Sequence, residues 1–311
     1  MMRYNIIGKL IILLLTISCN SKNNPSITVN EIYVSGIDDK FIFEKFDSLP
    51  LNKAIKPHIK GSTATYYKDT IFSQLKDDDG AIASVMGPMD KRMVQRAEFS
   101  LQLDKYYYKK NAYLAFDFLV PSTFDVDENN LGRETMIFQI HSKPNKGETW
   151  QYYKDQMPYN RPSIAIYLGK NKSNYYLSLR YGLNGDTDKA YKDYKWFLAG
   201  YKNIEPNEWH TIKLNYKLSD TNTGFIQSWI NGKSFTPFNG KHNKIYGAKM
   251  HNEAPPYLKF GLYRAWPDTH THEVYYDNLV IANKLENLLN EDELEKHINV
   301  NKKQQKVPIR L

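Results

Sequence analysis

The chain has 311 residues, a formal charge of +8 and one cysteine. A single cysteine excludes an intramolecular disulfide, so the core alone must hold the fold. The charge is a weak pointer to acidic partners: Arg3 and Lys9 sit in the first nineteen residues and Lys302, Lys303, Lys306 and Arg310 in the tail, which leaves about +2 for the body. Nucleic acid is therefore not expected as a partner.

Residues 1–19, "MMRYNIIGKLIILLLTISC", combine a basic start with a short apolar stretch, Leu10 to Ile17. That stretch falls short of the ~20 residues a bilayer span needs and reads as a secretion signal. Cys19 stands where a bacterial lipoprotein signal is cut and lipidated, although Thr16 occupies a position where leucine is usual. The expected organisation is a signal over 1–18, a polar tether over 19–30, a β domain over 31–285, and a helix with a basic tail over 286–311. The expected location is outside the cytoplasm, lipid-anchored to a cell membrane through Cys19, and a monomer is expected.

"KDDDG", residues 76–80, has the oxygen-rich composition of a structural calcium loop, but adjacent aspartates are commoner in plain turns. From about Glu31 to Ala282 the chain reads as short alternating strands separated by Asn, Gly, Asp, Pro and Lys clusters. Examples are "AEFSLQL", "NAYLAFDFLV", "ETMIFQIHS", "PSIAIYLG", "YYLSLRYGL", "EWHTIKLNYKL", "GFIQSWING", "PYLKFGLYRAW" and "EVYYDNLVIA". Many short strands without intervening amphipathic helices predict an all-β antiparallel sandwich. "LENLLNEDELEKHIN", residues 285–299, predicts a helix with Leu285, Leu288 and Leu289 on one side.

Three of these strands carry chemistry on one face. Side chains alternate with period 2, so Gln139 and His141 share the face opposite Phe138 and Ile140. Likewise Arg96, Glu98 and Ser100 oppose Ala97, Phe99 and Leu101, and Tyr257, Lys259, Gly261 and Tyr263 oppose Leu258, Phe260 and Leu262. A glycine amid a polar face lets something approach the backbone. If the three strands neighbour one another, Arg96, Gln139, His141, Lys259 and Tyr263 line one groove. Glu98 is expected to orient Arg96 rather than react.

"RAEF", "QIH" and "YLKFGLY" together resemble the signature strands of jelly-roll polysaccharide lyases. The alginate-lyase branch carries Arg–(Ser/Thr)–Glu–(Leu/Val)–Arg, then Gln-Ile-His, then Tyr-Phe-Lys-Ala-Gly-X-Tyr. Here Ser100 replaces the second arginine and Phe260 the alanine. Over roughly residues 90–283 the body is more similar to the heparin lyase I and glucuronan lyase group. "RAEFSL", "FDFLVPSTF", "IFQIHS", "NEWHTIKLNY", "SWINGK", "PYLKFGLYR" and "VYYDNLVIA" carry that likeness in the same order.

The resemblance implies a β-jelly-roll fold with a concave groove, an acidic, uronate-containing polysaccharide as partner, and β-elimination as the reaction. Arg96 and Gln139 would neutralise the uronate carboxylate where enolate-like charge develops. His141, with an unperturbed pKa near ~6.5, would act as base. Tyr263 would protonate the leaving oxygen, or act as base beside a cation such as Lys259. Lys259, Tyr257, Trp150, Arg180, Arg264 and Trp266 are expected to bind substrate, with Lys143 and Lys146 as further subsite candidates on the loop after His141.

His270 and His272 form an i, i+2 pair for which no third ligand is apparent, so no metal is assigned and no cofactor beyond the calcium loop is suggested. Trp209 and Trp229 read as core and turn features, and His210 as a surface residue. A non-catalytic lectin-like sandwich would share the fold but has no need of a matched Arg–Gln–His–Tyr set. A glycoside hydrolase would need paired carboxylates, and no strand carries Glu-X-Asp-X-X-Glu.

Overall fold

The computed structural model describes residues 41–44, 55–60, 64–66, 81–102, 110–151, 162–183, 195–219, 221–237, 243–247 and 254–282. The signal, Cys19, the calcium-loop candidate and the helix at 285–299 lie outside these residues. Among the described residues no helix is long and apolar enough to cross a membrane.

The strands in chain order are β1 (Phe41–Glu44), β2 (Ile55–Lys60), β3 (Ala64–Tyr66), β4 (Ile82–Met86), β5 (Gln95–Gln102), β6 (Asn111–Leu119), β7 (Glu134–His141) and β8 (Ile164–Asn171). They continue with β9 (Asn174–Leu183), β10 (Lys195–Ile204), β11 (Trp209–Lys217), β12 (Phe225–Ile230), β13 (Lys233–Ser234), β14 (Ile245–Tyr246), β15 (Tyr257–Arg264) and β16 (His272–Ala282).

They form two antiparallel sheets, as the alternation predicts. One runs β10-β9-β8-β7-β15-β5-β2; the other runs β13-β12-β11-β6-β16-β4-β3, with β1 on β16 and β14 on β12. The order of the first sheet places β15 between β5 and β7, so the three strands singled out in the sequence are neighbours.

The core lies between the sheets and is built from the apolar half of each strand. Phe138 of β7 stacks on Phe116 of β6 at 5.2 Å between ring centroids. Phe260 of β15 stacks on Phe99 at 5.2 Å and meets Tyr276 of β16 edge-on at 5.5 Å. Such aromatic pairs add about 0.5–1.5 kcal/mol each beyond area burial. They fix which face of β5, β7 and β15 turns away from the core, because a one-residue slip would invert every side chain.

Two strands escape the alternation test. β4 is covered on both faces, so "IASVM" is buried throughout and reads as an apolar run. β10 has a register shift between Leu198 and Gly200 against β9, which breaks its period. His210 is not on the surface: it is buried, its Nε2 donates to the Glu205 carbonyl at 2.7 Å, and its Nδ1 accepts from Asn231 Nδ2 at 3.0 Å. Asn231 and Gly232, both at positive φ, make the tight β12–β13 turn.

Candidate active site

The polar face of the β7–β15–β5 triplet can be built one cross-strand row at a time. Tyr257 pairs with His141, and Lys259 pairs with Gln139 on one side and Ser100 on the other. Gly261 pairs with Glu98, and Tyr263 lies between Arg96 and Met136. The row through Lys259 and Gln139 continues to Ala165 and then to Arg180 on β9.

Gly261 has φ +116°, a region L side chains rarely adopt, and a Cβ there would overlap the Ala97 carbonyl and come within 2.7 Å of Glu98 Cα. What approaches this glycine is thus the neighbouring strand. The register of β15 against β7 also shifts just here, between Phe260 and Tyr263.

Glu98 is the hub. Its Oε1 accepts from Gln139 Nε2, its Oε2 lies 3.4 Å from Lys259 Nζ, and Arg96 Nη1 stands 3.8 Å from Oε2. Glu98, Gln139 and Lys259 are all buried. Burial pushes the Glu98 carboxyl up, opposed by Lys259 and Arg96, and pushes the Lys259 ammonium down, opposed by Glu98. Arg96 is only partly covered, with a side chain 25% exposed, yet its Nε is buried with no hydrogen-bond partner among the described residues. The Arg96 guanidinium carbon lies 4.7 Å from the Tyr263 ring centroid, whereas Lys259 Nζ lies 5.2 Å from that of Tyr257.

At the other end of the face, His141 Nδ1 donates to the Ser142 carbonyl at 2.5 Å. A carbonyl can only accept, so the neutral ring carries its proton on Nδ1 and its lone pair on Nε2. Tyr257 stacks on His141 with centroids 5.4 Å apart and planes at 8°, and Trp150 meets both rings edge-on, at 6.4 and 6.3 Å. Burial holds the Tyr257 hydroxyl well above its ordinary pKa, so it stays protonated. His141 and Tyr263 both face this surface, on either side of the Glu98, Gln139 and Lys259 cluster, with the register shift at Gly261 between them.

Arg180 lies on the same face two strands beyond β7, ion-paired with Glu134 and 4.9 Å from the Tyr167 ring. Arg264 and Trp266 do not belong to this surface. Arg264 is fully buried on the core side, donating to the Gly87 carbonyl at 2.9 Å and to Gln95 Oε1 at 2.8 Å. Trp266 packs in the core and donates its indole N–H to the Glu134 carbonyl at 3.0 Å.

One group among the described residues brings metal-type ligand atoms together: Asp127, Asp268 and His270, all within 4.8 Å. Their carboxylates are already engaged. Asp268 accepts from the backbone N–H groups of Asp127 and His270 and from Asn130 Nδ2, and Asp127 accepts from Thr269 N and Oγ1. This network ties the loop before β16 to the turn at Asp127–Asn130. His272 lies instead in the core, with Nδ1 3.1 Å from Thr135 Oγ1. Sequence reasoning missed the hub role of Glu98 towards Gln139 and Lys259, since that depends on which strands are adjacent.

The family model described as polysaccharide lyase matches residues 46–280. Among solved structures, an endo-β-1,4-glucuronan lyase from the fungus Trichoderma reesei aligns at 13% identity and TM-score 0.51, over 84% of this chain and 96% of that one. An alginate lyase from Aplysia kurodai aligns at 14% identity and TM-score 0.45, over 77% and 97%. No curated protein matches the sequence.

Proposed function

Because the chain belongs to the polysaccharide lyase family, we propose that it cleaves a uronate-containing polymer by β-elimination, leaving a 4,5-unsaturated uronyl end. The observation that carries this reading is the hydrogen bond from His141 Nδ1 to the Ser142 carbonyl, which makes Nε2 the basic nitrogen of the neutral ring. A sugar lying over the Glu98 cluster has the row of His141 on one side and the row of Tyr263 on the other.

In this reading the uronate carboxylate sits over the Glu98 hub. Arg96, whose side chain is partly exposed, offers it its guanidinium, and Gln139 the N–H not given to Glu98. Their donors stabilise the charge that develops as the C5 proton leaves, in a site where Glu98 is already balanced by Lys259. His141 Nε2 removes that proton, the C5 electron pair forms the C4–C5 double bond, the bond from C4 to O4 breaks, and Tyr263 protonates O4. The resemblance in fold to a glucuronan lyase agrees with a polyuronate substrate.

Product mass tests the reaction class. Digests of glucuronan and alginate should give oligosaccharides each lighter by one water than the hydrolysis products; hydrolytic masses would contradict elimination. We also propose export and lipid anchoring at Cys19, which rests on the basic start and apolar stretch before it. Metabolic labelling with a fatty acid should mark the wild-type chain and not Cys19→Ala.

A further inference from the structure

The cross-strand row that carries Tyr263 continues past the catalytic strands to the far edge of the sheet. Directly paired residues share a face, and the pairing runs from Arg96 and Tyr263 to Met136 of β7, Tyr167 of β8, Ser178 of β9 and Tyr201 of β10. Tyr201 therefore looks onto the same surface as Tyr263, four inter-strand spacings away, roughly 19 Å along the sheet. The register shift in β10 brings this about. Leu198 pairs with Arg180 and Tyr201 with Ser178, although an unbroken period of 2 would put Leu198 and Tyr201 on opposite faces. Both side chains are exposed, Leu198 at 60% and Tyr201 at 54%.

A lone exposed apolar side chain needs no explanation, but Tyr201 stands on a built base. Tyr176 of β9 alternates with the core residues Tyr175 and Leu177 and so turns to the groove face. Gly169 of β8 makes room for it, since a Cβ there would collide with the Tyr176 ring. The Tyr176 hydroxyl donates to the Gly132 carbonyl at 3.1 Å, and the residue is buried. Tyr201 stacks on this fixed ring, with centroids 4.7 Å apart and planes at 25°. The ring of Tyr201 is thus held in orientation while half of the residue stays open, which lowers the cost of ordering it on binding.

We infer that Tyr201 stacks on a sugar of the polymer several units from the one being cleaved, so that affinity grows with chain length up to the length that reaches it. The inference rests on the lyase reading for the polymer and for the place of cleavage. The open ring face meets the C–H face of a pyranose, a contact that reads shape rather than charge. Because the row is continuous from Tyr263 to Tyr201, one polymer chain lying along it occupies both places.

The test compares wild type with Tyr201→Ala and Tyr201→Phe on the polyuronate that wild type cleaves fastest and on its oligosaccharides of graded length, and reads retention in gels containing glucuronan or alginate. On the polymer, KM of Tyr201→Ala should rise about tenfold, as loss of one covered ring face implies, with kcat changed far less. On the shortest oligosaccharide cleaved, the two proteins should agree, which also shows that the variant is folded. Tyr201→Phe keeps the ring and should match wild type throughout. Equal length dependence in wild type and Tyr201→Ala would overturn the inference while leaving the lyase reading intact, as would a loss in Tyr201→Ala that is the same at every length. Product absent from every wild-type digest would count against the lyase reading, and the gels would still decide the platform: weaker retention of Tyr201→Ala supports it, and equal retention refutes it.

Discussion

Glu98 and Lys259 stand on adjacent strands with carboxylate and ammonium 3.4 Å apart, and both are nearly sealed from solvent. Neither charge is tolerable there alone. The same carboxylate also takes the Gln139 amide, so the pair fixes a third group of the face.

Glu98→Gln should therefore cost about 3–5 kcal/mol, since it leaves a buried ammonium uncompensated. Glu98→Gln/Lys259→Met should recover most of that stability but not turnover, because Gln139 and Arg96 have lost the carboxylate that orients them. Urea midpoints and kcat for the two proteins check this. Recovery of both together would mean the pair has only a structural role.

Gly261→Ala adds a Cβ against the Ala97 carbonyl at φ +116°. The expected loss is about 2–4 kcal/mol, seen as a lower urea midpoint. An unchanged midpoint would show that β5 and β15 are not so closely apposed.

Arg264→Ala should lower stability by about 3 kcal/mol, because Gly87 and Gln95 lose a buried donor. The KM of the remaining folded enzyme should stay close to wild type. A selective rise in KM with normal stability would return Arg264 to the groove.

His272 is enclosed by Phe124 and Trp266, and burial lowers its pKa from 6.5 to about 4. Between those values the unfolded chain binds a proton that the folded chain refuses. Stability should accordingly fall as pH drops from 6.5 towards 4, by up to about 3 kcal/mol from this group, and its contribution should level off below. Urea midpoints at pH 7, 5.5 and 4.5 measure the slope, and His272→Gln should flatten it.

The sheets were legible because alternation is a direct record of burial: Phe99, Phe138 and Phe260 announce the core face, and their neighbours the polar one. Arg264 shares the parity of Leu258, Phe260 and Leu262, so alternation placed it inward; its charge was the misleading cue. Trp266 follows the strand, where period 2 no longer applies. The Glu98 hub and the position of Tyr257 against His141 depend on strand order and on a register shift at Gly261, which are tertiary facts. The bulge in β10 hid that strand in the same way.

The central claim is elimination driven by His141 and Tyr263, and the ultraviolet absorbance of the unsaturated uronyl group reads it directly. On the polyuronate that wild type cleaves fastest, His141→Ala and Tyr263→Phe should each reduce the rate of absorbance rise by at least about a hundredfold, with gel retention of the polymer preserved. Tyr257→Phe, which keeps the ring stacked on His141, should lose far less. Near-normal rates in both His141→Ala and Tyr263→Phe would contradict the account.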